Sequence, residues 1–417
     1  MNRTTIVRAG RLVDTRAGEV QRDRVLTIRD GLVERIDAAD QERPEDATVI
    51  DLSGRTVLPG LIDCHAHLIG LHEDETGTVD YSQQLLRTGA QEVLAGVRNA
   101  RLTLEAGFTS VRDVGSFRAF TDVALREAIE AGWVDGPRMQ CAGAYVTVSG
   151  GGGDIPSTAL DVEVPRELRF GVADSVDEVR QRVREIAHRG ADLIKVIATG
   201  AVMTRGTPPG APEFSEAEIR AAVEEAALYG LHVAAHAHGA EGIKRAVRAG
   251  VRSVEHGSLI DDEAIDMMAE RGTYLVADIF DGDWIATIGA EHGWPAEILR
   301  KNEETTRSQR EGFTKAVKAG VNVAYGTDSG IYPHGMVARQ LPYMVRYGMT
   351  PIQAIQSATT VAAELMGWQD RVGWLGPGMA ADLVAVDADP LDDVGALTEI
   401  SFVMKAGTVV RGAAGVG

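Results

Sequence analysis

Leu58-Pro59-Gly60-Leu61-Ile62-Asp63-Cys64-His65-Ala66-His67 is the stretch on which both the fold and the chemistry turn. Its apolar run predicts a strand over Leu61–Leu68. Residues two apart on a strand face the same side, so His65 and His67 point together while Cys64 and Ala66 point away. Two imidazoles side by side on a rigid strand can share one metal ion. Taken alone, the pair reads equally as two surface or core histidines.

Downstream, short apolar runs alternate with helical stretches, the rhythm of a parallel sheet. Further strands are predicted at Ser110–Val114, Met139–Val146, Leu193–Ala198, His232–Ala237, Ser253–His256, Tyr274–Ala277 and Asn322–Gly326, with helices such as Glu216–Tyr229 and Gly242–Ala249 between them. The expected fold class is α/β, a (β/α)8 TIM barrel. Both ends of the chain have a different texture. Thr5-Ile6-Val7-Arg8, Val25-Leu26-Thr27-Ile28 and Leu32-Val33-Glu34-Arg35-Ile36 alternate apolar and polar residues, and Asp30-Gly31 marks a hairpin. Asp382-Leu383-Val384-Ala385-Val386 and Phe402-Val403-Met404-Lys405 repeat the pattern. Residues 1–57 and 372–417 are expected to form one small β-sandwich around a barrel of residues 58–371; two separate β-ribbons are the other reading.

Strand ends carry the remaining candidates. His236 and His256 end successive strands, and Asp328 follows the last in Tyr325-Gly326-Thr327-Asp328. In a barrel these ends converge on one mouth. Each position alone is weak, but five side chains of metal-ligand type in barrel order are not. Lys195 stands mid-strand in Leu193-Ile194-Lys195-Val196-Ile197, where a buried ammonium is costly and its pKa depressed. It is either paired to a carboxylate or neutral and able to take up carbon dioxide as a metal-bridging carbamate.

With these motifs the chain resembles the amidohydrolase superfamily. Residues 58–67 are similar to its entry strand, and Gly376-Pro377-Gly378-Met379-Ala380-Ala381-Asp382 to its return to the terminal β domain. Lys195-Val196-Ile197-Ala198-Thr199-Gly200 resembles the binuclear branch of Xaa-Pro dipeptidases, arginine carboxypeptidases and ochratoxin-type amidases. The resemblance implies two divalent ions, zinc as a rule. His65, His67 and Asp328 would hold the deeper one, His236 and His256 the more exposed one, and carboxylated Lys195 would bridge both. It further implies amide hydrolysis in a small molecule, a dipeptide such as Xaa-Pro or an N-acyl amino acid including ochratoxin-like amides, by a metal-bridged hydroxide. Asp328 would be the catalytic proton carrier. A mononuclear deaminase or imidazolonepropionase-type ring hydrolase is the alternative, against which Lys195 counts. A non-catalytic scaffold is the remote one.

Candidates for substrate contact are His238, which shares a strand face with His236, and Tyr145, Arg205, Tyr332 and His334 in loops after strands. His238 reads equally as a satisfied core histidine. Gly152 in Ser149-Gly150-Gly151-Gly152-Gly153-Asp154 stands where relatives often have histidine, so these glycines widen the pocket or loosen the loop. Thr204 to Pro212, rich in Gly and Pro, reads as a lid or a long turn.

The bulk numbers close off other classes. A formal charge of −19 over 417 residues, with no basic stripe, argues against a nucleic-acid partner. The acidic stretch Glu213 to Glu225 reads as a solvated helix face. Cys64 and Cys141 are the only cysteines, so no disulfide framework is implied and a reducing, cytoplasmic setting is expected. Arg8 and Arg11 interrupt the opening apolar run, which argues against a signal peptide. No stretch approaches the ~18–20 apolar residues of a membrane span. A homo-oligomer is expected from the resemblance.

Overall fold

The computed structural model describes residues 4–38, 46–69, 83–155, 159 and 161–412. The first three and last five residues of the expected terminal β segments lie outside the described residues. In chain order the strands are β1 (Thr5–Asp14), β2 (Glu19–Arg29), β3 (Leu32–Ala38), β4 (Thr48–Pro59), β5 (Leu61–Ala66), β6 (Phe108–Asp113), β7 (Arg138–Cys141) and β8 (Tyr145–Val146). They continue with β9 (Leu193–Ile197), β10 (His232–Gly239), β11 (Ser253–Leu259), β12 (Tyr274–Val276), β13 (Leu383–Val386), β14 (Phe402–Lys405) and β15 (Thr408–Arg411).

The two ends of the chain meet in one seven-stranded sheet, in the order β15-β14-β13-β4-β1-β2-β3. The antiparallel ladder of β4 on β13, with Pro59 opposite Leu383, excludes two separate ribbons. Asp30 and Gly31 both take positive φ, 52° and 78°, as a two-residue hairpin that matches strand twist requires. Alternation sends Val7, Leu26, Ile50 and Phe402 into a cluster on one face. From the other, Val384 and Val403 join Leu61 and Phe108 in the main core.

Two parallel sheets make the centre, β5-β6-β7 and β8-β9-β10-β11-β12. Their strands are buried on both faces, as helix-covered parallel strands are. Two expectations need correction. Met139–Val146 is not one strand, because Gly143 turns the chain at φ 74° between β7 and β8 and gives its N–H to Asp122 Oδ2 at 2.8 Å. Asn322–Gly326 makes no ladder. It runs extended with single bridges, Val323 to Leu275 and, just beyond, Ser329 to Ala66. Through them, and through Cys64 N–H on Tyr325 O at 2.8 Å, it lies between β12 and β5.

Helices start on local signals. Ser215 accepts from Glu218 N–H while the Glu218 side chain returns to Ser215 N–H, a reciprocal cap that opens Glu216–Ala227. The expected solvated acidic face breaks at Glu225, which is 2 % exposed and takes Arg184 and Arg180 at 2.7 and 3.4 Å. No described helix is long and apolar enough to cross a membrane.

Candidate active site

His65, His67, Lys195, His236, His256 and Asp328 line a single pocket, from β5, β9, β10, β11 and the segment beside β5. Nε2 of His65 and of His67 both reach Asp328 Oδ1, at 3.4 and 3.1 Å. The His256 ring lies 4.8 Å from that of His65 and 4.5 Å from that of His236. Ligand atoms of His236, His238 and His256 fall within 4.8 Å of one another, as do those of His65, His256 and Asp328. These His/Asp clusters, which sequence reading places on separate strands, fit a divalent metal site.

Local backbone conformation aims two of these side chains. His256 and Asp328 hold φ at 69° and 54°, the left-handed region that non-glycine residues rarely occupy. Such conformations cost of order 1–3 kcal/mol each and persist where the surroundings impose them. Around His256 the β10–β11 ladder shifts register between Ala237 and Gly239. Gly257 continues the turn at φ 63°.

An outer layer fixes the rings. His65 Nδ1 meets Glu255 Oε2 at 2.8 Å, His67 Nδ1 meets Gly115 O at 2.6 Å, and His256 Nδ1 meets Asp278 Oδ2 at 2.8 Å. Each of these three contacts leaves Nε2 for the pocket. His236 is reversed, its Nε2 on Gly200 O at 3.3 Å, so Nδ1 is the nitrogen left over. Partners of this kind set tautomer and orientation at metal-binding histidines. Glu255 is itself gripped by Arg112 at 2.8 and 3.0 Å, and Asp278 by Gln309 Nε2 at 2.7 Å. Sequence reading missed Glu255, Asp278, Arg112 and Gln309. The only signal for the first two was a carboxylate near a strand-borne candidate, Glu255 beside His256 within β11 and Asp278 two residues after β12.

The charges are mutually adjusted. Burial brings the Lys195 ammonium down to about 8, against the pull of Glu255 and Asp328. Burial also raises Asp328, but His65 and His67 outweigh it and hold its carboxyl well below the usual range. Burial takes His238 down to about 3, so its ring is neutral. Cys64 and Cys141 are buried and their thiols pushed up by desolvation, which removes them as nucleophiles.

The substrate candidates separate. His238 lines the pocket with Nδ1 on Ser258 Oγ at 2.7 Å, and so does Tyr145, whose hydroxyl donates to Gly115 O at 2.9 Å. Arg205 is exposed and outside the lining. Tyr332 and His334 are buried behind it, Tyr332 edge-on to Phe280 at 5.1 Å. Where a loop side chain points depends on the turn that carries it, and no strand period reports that.

Gly152 lines the pocket with both its backbone groups bonded. Its N–H lies 2.9 Å from Glu213 Oε2, and its carbonyl accepts from Thr204 Oγ1 at 2.6 Å. An added Cβ would sit 3.1 Å from Ile197 Cγ2 and 3.2 Å from Ala201 N. Gly152→Ala is therefore expected to destabilise the fold by about 1–3 kcal/mol, the usual range for overpacking. Urea unfolding reads this as a lower midpoint with the slope retained. An unchanged midpoint would mean that Ala201 gives way freely.

The Amidohydrolase family profile matches residues 56–413 of the chain. The ochratoxinase of Aspergillus niger is 34% identical, over 98% of this chain and 87% of that protein. Among solved structures, a Xaa-Pro dipeptidase with methionine bound in its active site superposes with TM-score 0.90 at 34% identity, over 98% of this chain and 100% of that one. A prolidase complexed with N-methylphosphonate-L-proline superposes with TM-score 0.90 at 32% identity, again over 98% and 100%.

Proposed function

The chain belongs to the amidohydrolase family, and we propose that His65, His67 and Asp328 would hold one divalent ion, His236 and His256 a second, and carboxylated Lys195 both. The protein is a metal-dependent hydrolase of amide bonds in small molecules. The observation that carries the ligand assignment is the meeting of two imidazole Nε2 atoms on one oxygen of Asp328. Outer partners occupy the opposite nitrogens, which supports the same donor set. Imidazole and carboxylate donors suit zinc. With its ammonium at about 8, Lys195 has a neutral fraction that can add carbon dioxide with loss of a proton.

Divalent ions, when bound, lower the pKa of water toward neutrality and polarise a carbonyl oxygen. The chain's residues supply the rest. Asp328, ionised at neutral pH, takes the proton of the attacking water at its carboxylate and delivers it to the leaving nitrogen. His238 stays neutral; with the Ser258 hydroxyl donating to Nδ1, Nε2–H is free to donate to a substrate oxygen. Domain limits follow the same reading. Residues 58–371 close as a (β/α)8 barrel, supported by the segment between β12 and β5, and residues 1–57 with 372–417 curl as a β-sandwich over their shared cluster.

The substrates proposed are Xaa-Pro dipeptides and N-acyl amino acids of ochratoxin-like type, a choice supported by the likeness to an ochratoxinase, a Xaa-Pro dipeptidase and a prolidase. The test is elemental analysis of protein purified without chelator, beside a hydrolysis screen of both substrate classes. About two ions per chain, with turnover lost on chelation and restored by metal, is the expected result. About one ion, with ring hydrolysis in place of amide hydrolysis, would return the deaminase or ring-hydrolase alternative.

A further inference from the structure

Besides Lys195, one lysine is as deeply buried among the described residues: Lys301, 2 % exposed, on the helix Ala296–Lys318. It lies outside the histidine cluster, and its three N–H groups have three takers. Nζ donates to Thr204 O at 2.7 Å and Ala201 O at 3.4 Å, and pairs with Glu297 Oε1 at 2.8 Å. The same Glu297 oxygen accepts from Gly206 N–H at 2.9 Å. Thr207 Oγ1 closes the turn by accepting from Ala201 N–H at 3.1 Å. An ammonium removed from water needs such partners, and here two are backbone carbonyls of one pocket loop and the third is a carboxylate on the lysine's own helix. The segment after Thr204 is thus bound down at several points, which disfavours its reading as a lid.

Between the two carbonyls held by Lys301 stand Val202 and Met203, and both line the pocket. They pack with Ile331 against the buried cluster of Ile285, Trp294 and Ile298. Val202, Met203, Ile285 and Ile331 thus give the pocket that holds the His/Asp centre a fixed apolar stretch. The lysine's helix also carries Gln309, which holds Asp278 behind His256. Wall and centre are referenced to one rigid element.

We propose that Lys301 is a positioning residue that fixes Val202 and Met203 as a specificity wall, selecting amide substrates with a bulky apolar group, aromatic or branched, on one side of the scissile bond. This rests on the amide-hydrolase reading and deepens it. An immobile apolar wall rewards a large apolar group, because its burial is not offset by ordering the loop.

The test uses matched N-acyl amino acids, acetyl against naphthoyl on one amine and alanine against phenylalanine under one acyl group. Parent, Lys301→Met, Lys301→Arg and Met203→Ala are compared for kcat, KM and metal content. The parent is expected to favour the bulky member of at least one pair. Lys301→Met should cut that preference by about tenfold through KM, the effect of losing roughly 1.4 kcal/mol of apolar binding, with metal content kept and Lys301→Arg in between. Hydrogen exchange should rise over residues 201–207. Met203→Ala, which leaves the clamp intact, should lose the same preference without the added exchange, and it keeps the test alive if Lys301→Met does not fold. Equal losses on small and bulky substrates in both variants would overturn the wall. If the parent cleaves no amide, the functional reading fails, and calorimetric binding of the naphthoyl compound to parent and Met203→Ala still judges the wall: equal affinity rejects it.

Discussion

Lys195→Ala is expected to leave a folded protein that has lost its metal complement and, with it, amide hydrolysis. The lysine sits mid-strand in β9, with Ala234 opposite on β10 and Tyr145 on β8, so its backbone is held from both flanks. The charges of Glu255 and Asp328 act on it. Removing an outer partner of a metal ligand costs about 10–100-fold in affinity or activity. Loss of the group proposed to be shared by both ions should exceed that, and a fall in kcat/KM of at least about 10³-fold is expected. Elemental analysis should drop from about two ions per chain in step with activity. Circular dichroism serves as the control for folding, since the truncation leaves a cavity in the core. Full metal content with activity near the parent's would return Lys195 to the role of a buried cation paired with Glu255 and Asp328.

What the sequence could show about this site follows from what has a period. His65 and His67 were legible because a strand alternates, and both rings do converge on Asp328 although β5 ends at Ala66. Lys195 was legible because a charge in an apolar run has few explanations. The hairpin at Asp30-Gly31 was legible because left-handed backbone restricts residue choice. What escaped is what depends on three-dimensional neighbours. Glu255 meets His65 from another strand, behind the ring rather than in the pocket. Asp278 reaches His256 from the end of β12, held by a glutamine on the distant helix Ala296–Lys318. The eighth expected strand failed as a strand because Val323 and Ser329 bridge different neighbours and leave no continuous ladder. Loop candidates fared worst: of Tyr145, Arg205, Tyr332 and His334, only Tyr145, which begins a short strand, reaches the pocket.

Asp328→Asn separates holding a metal from moving a proton, which Lys195→Ala cannot do. Asparagine keeps an oxygen of the same reach, so His65 and His67 retain a partner and metal content should stay near the parent's. It cannot take up the proton of the attacking water, and positioned general acid–base groups contribute about 10²–10⁴-fold. A kcat fall of about 10³-fold is therefore expected, some 4 kcal/mol of barrier, with KM changing far less. The pH profile makes the assignment sharper. If Asp328 is the base, the acid limb of the parent's profile reports protonation of that carboxylate and should vanish in the variant. If Asp328→Asn keeps its metals and turns over within about tenfold of the parent, proton transfer to the leaving nitrogen runs through another group, and His238 in the same pocket becomes the residue to replace next.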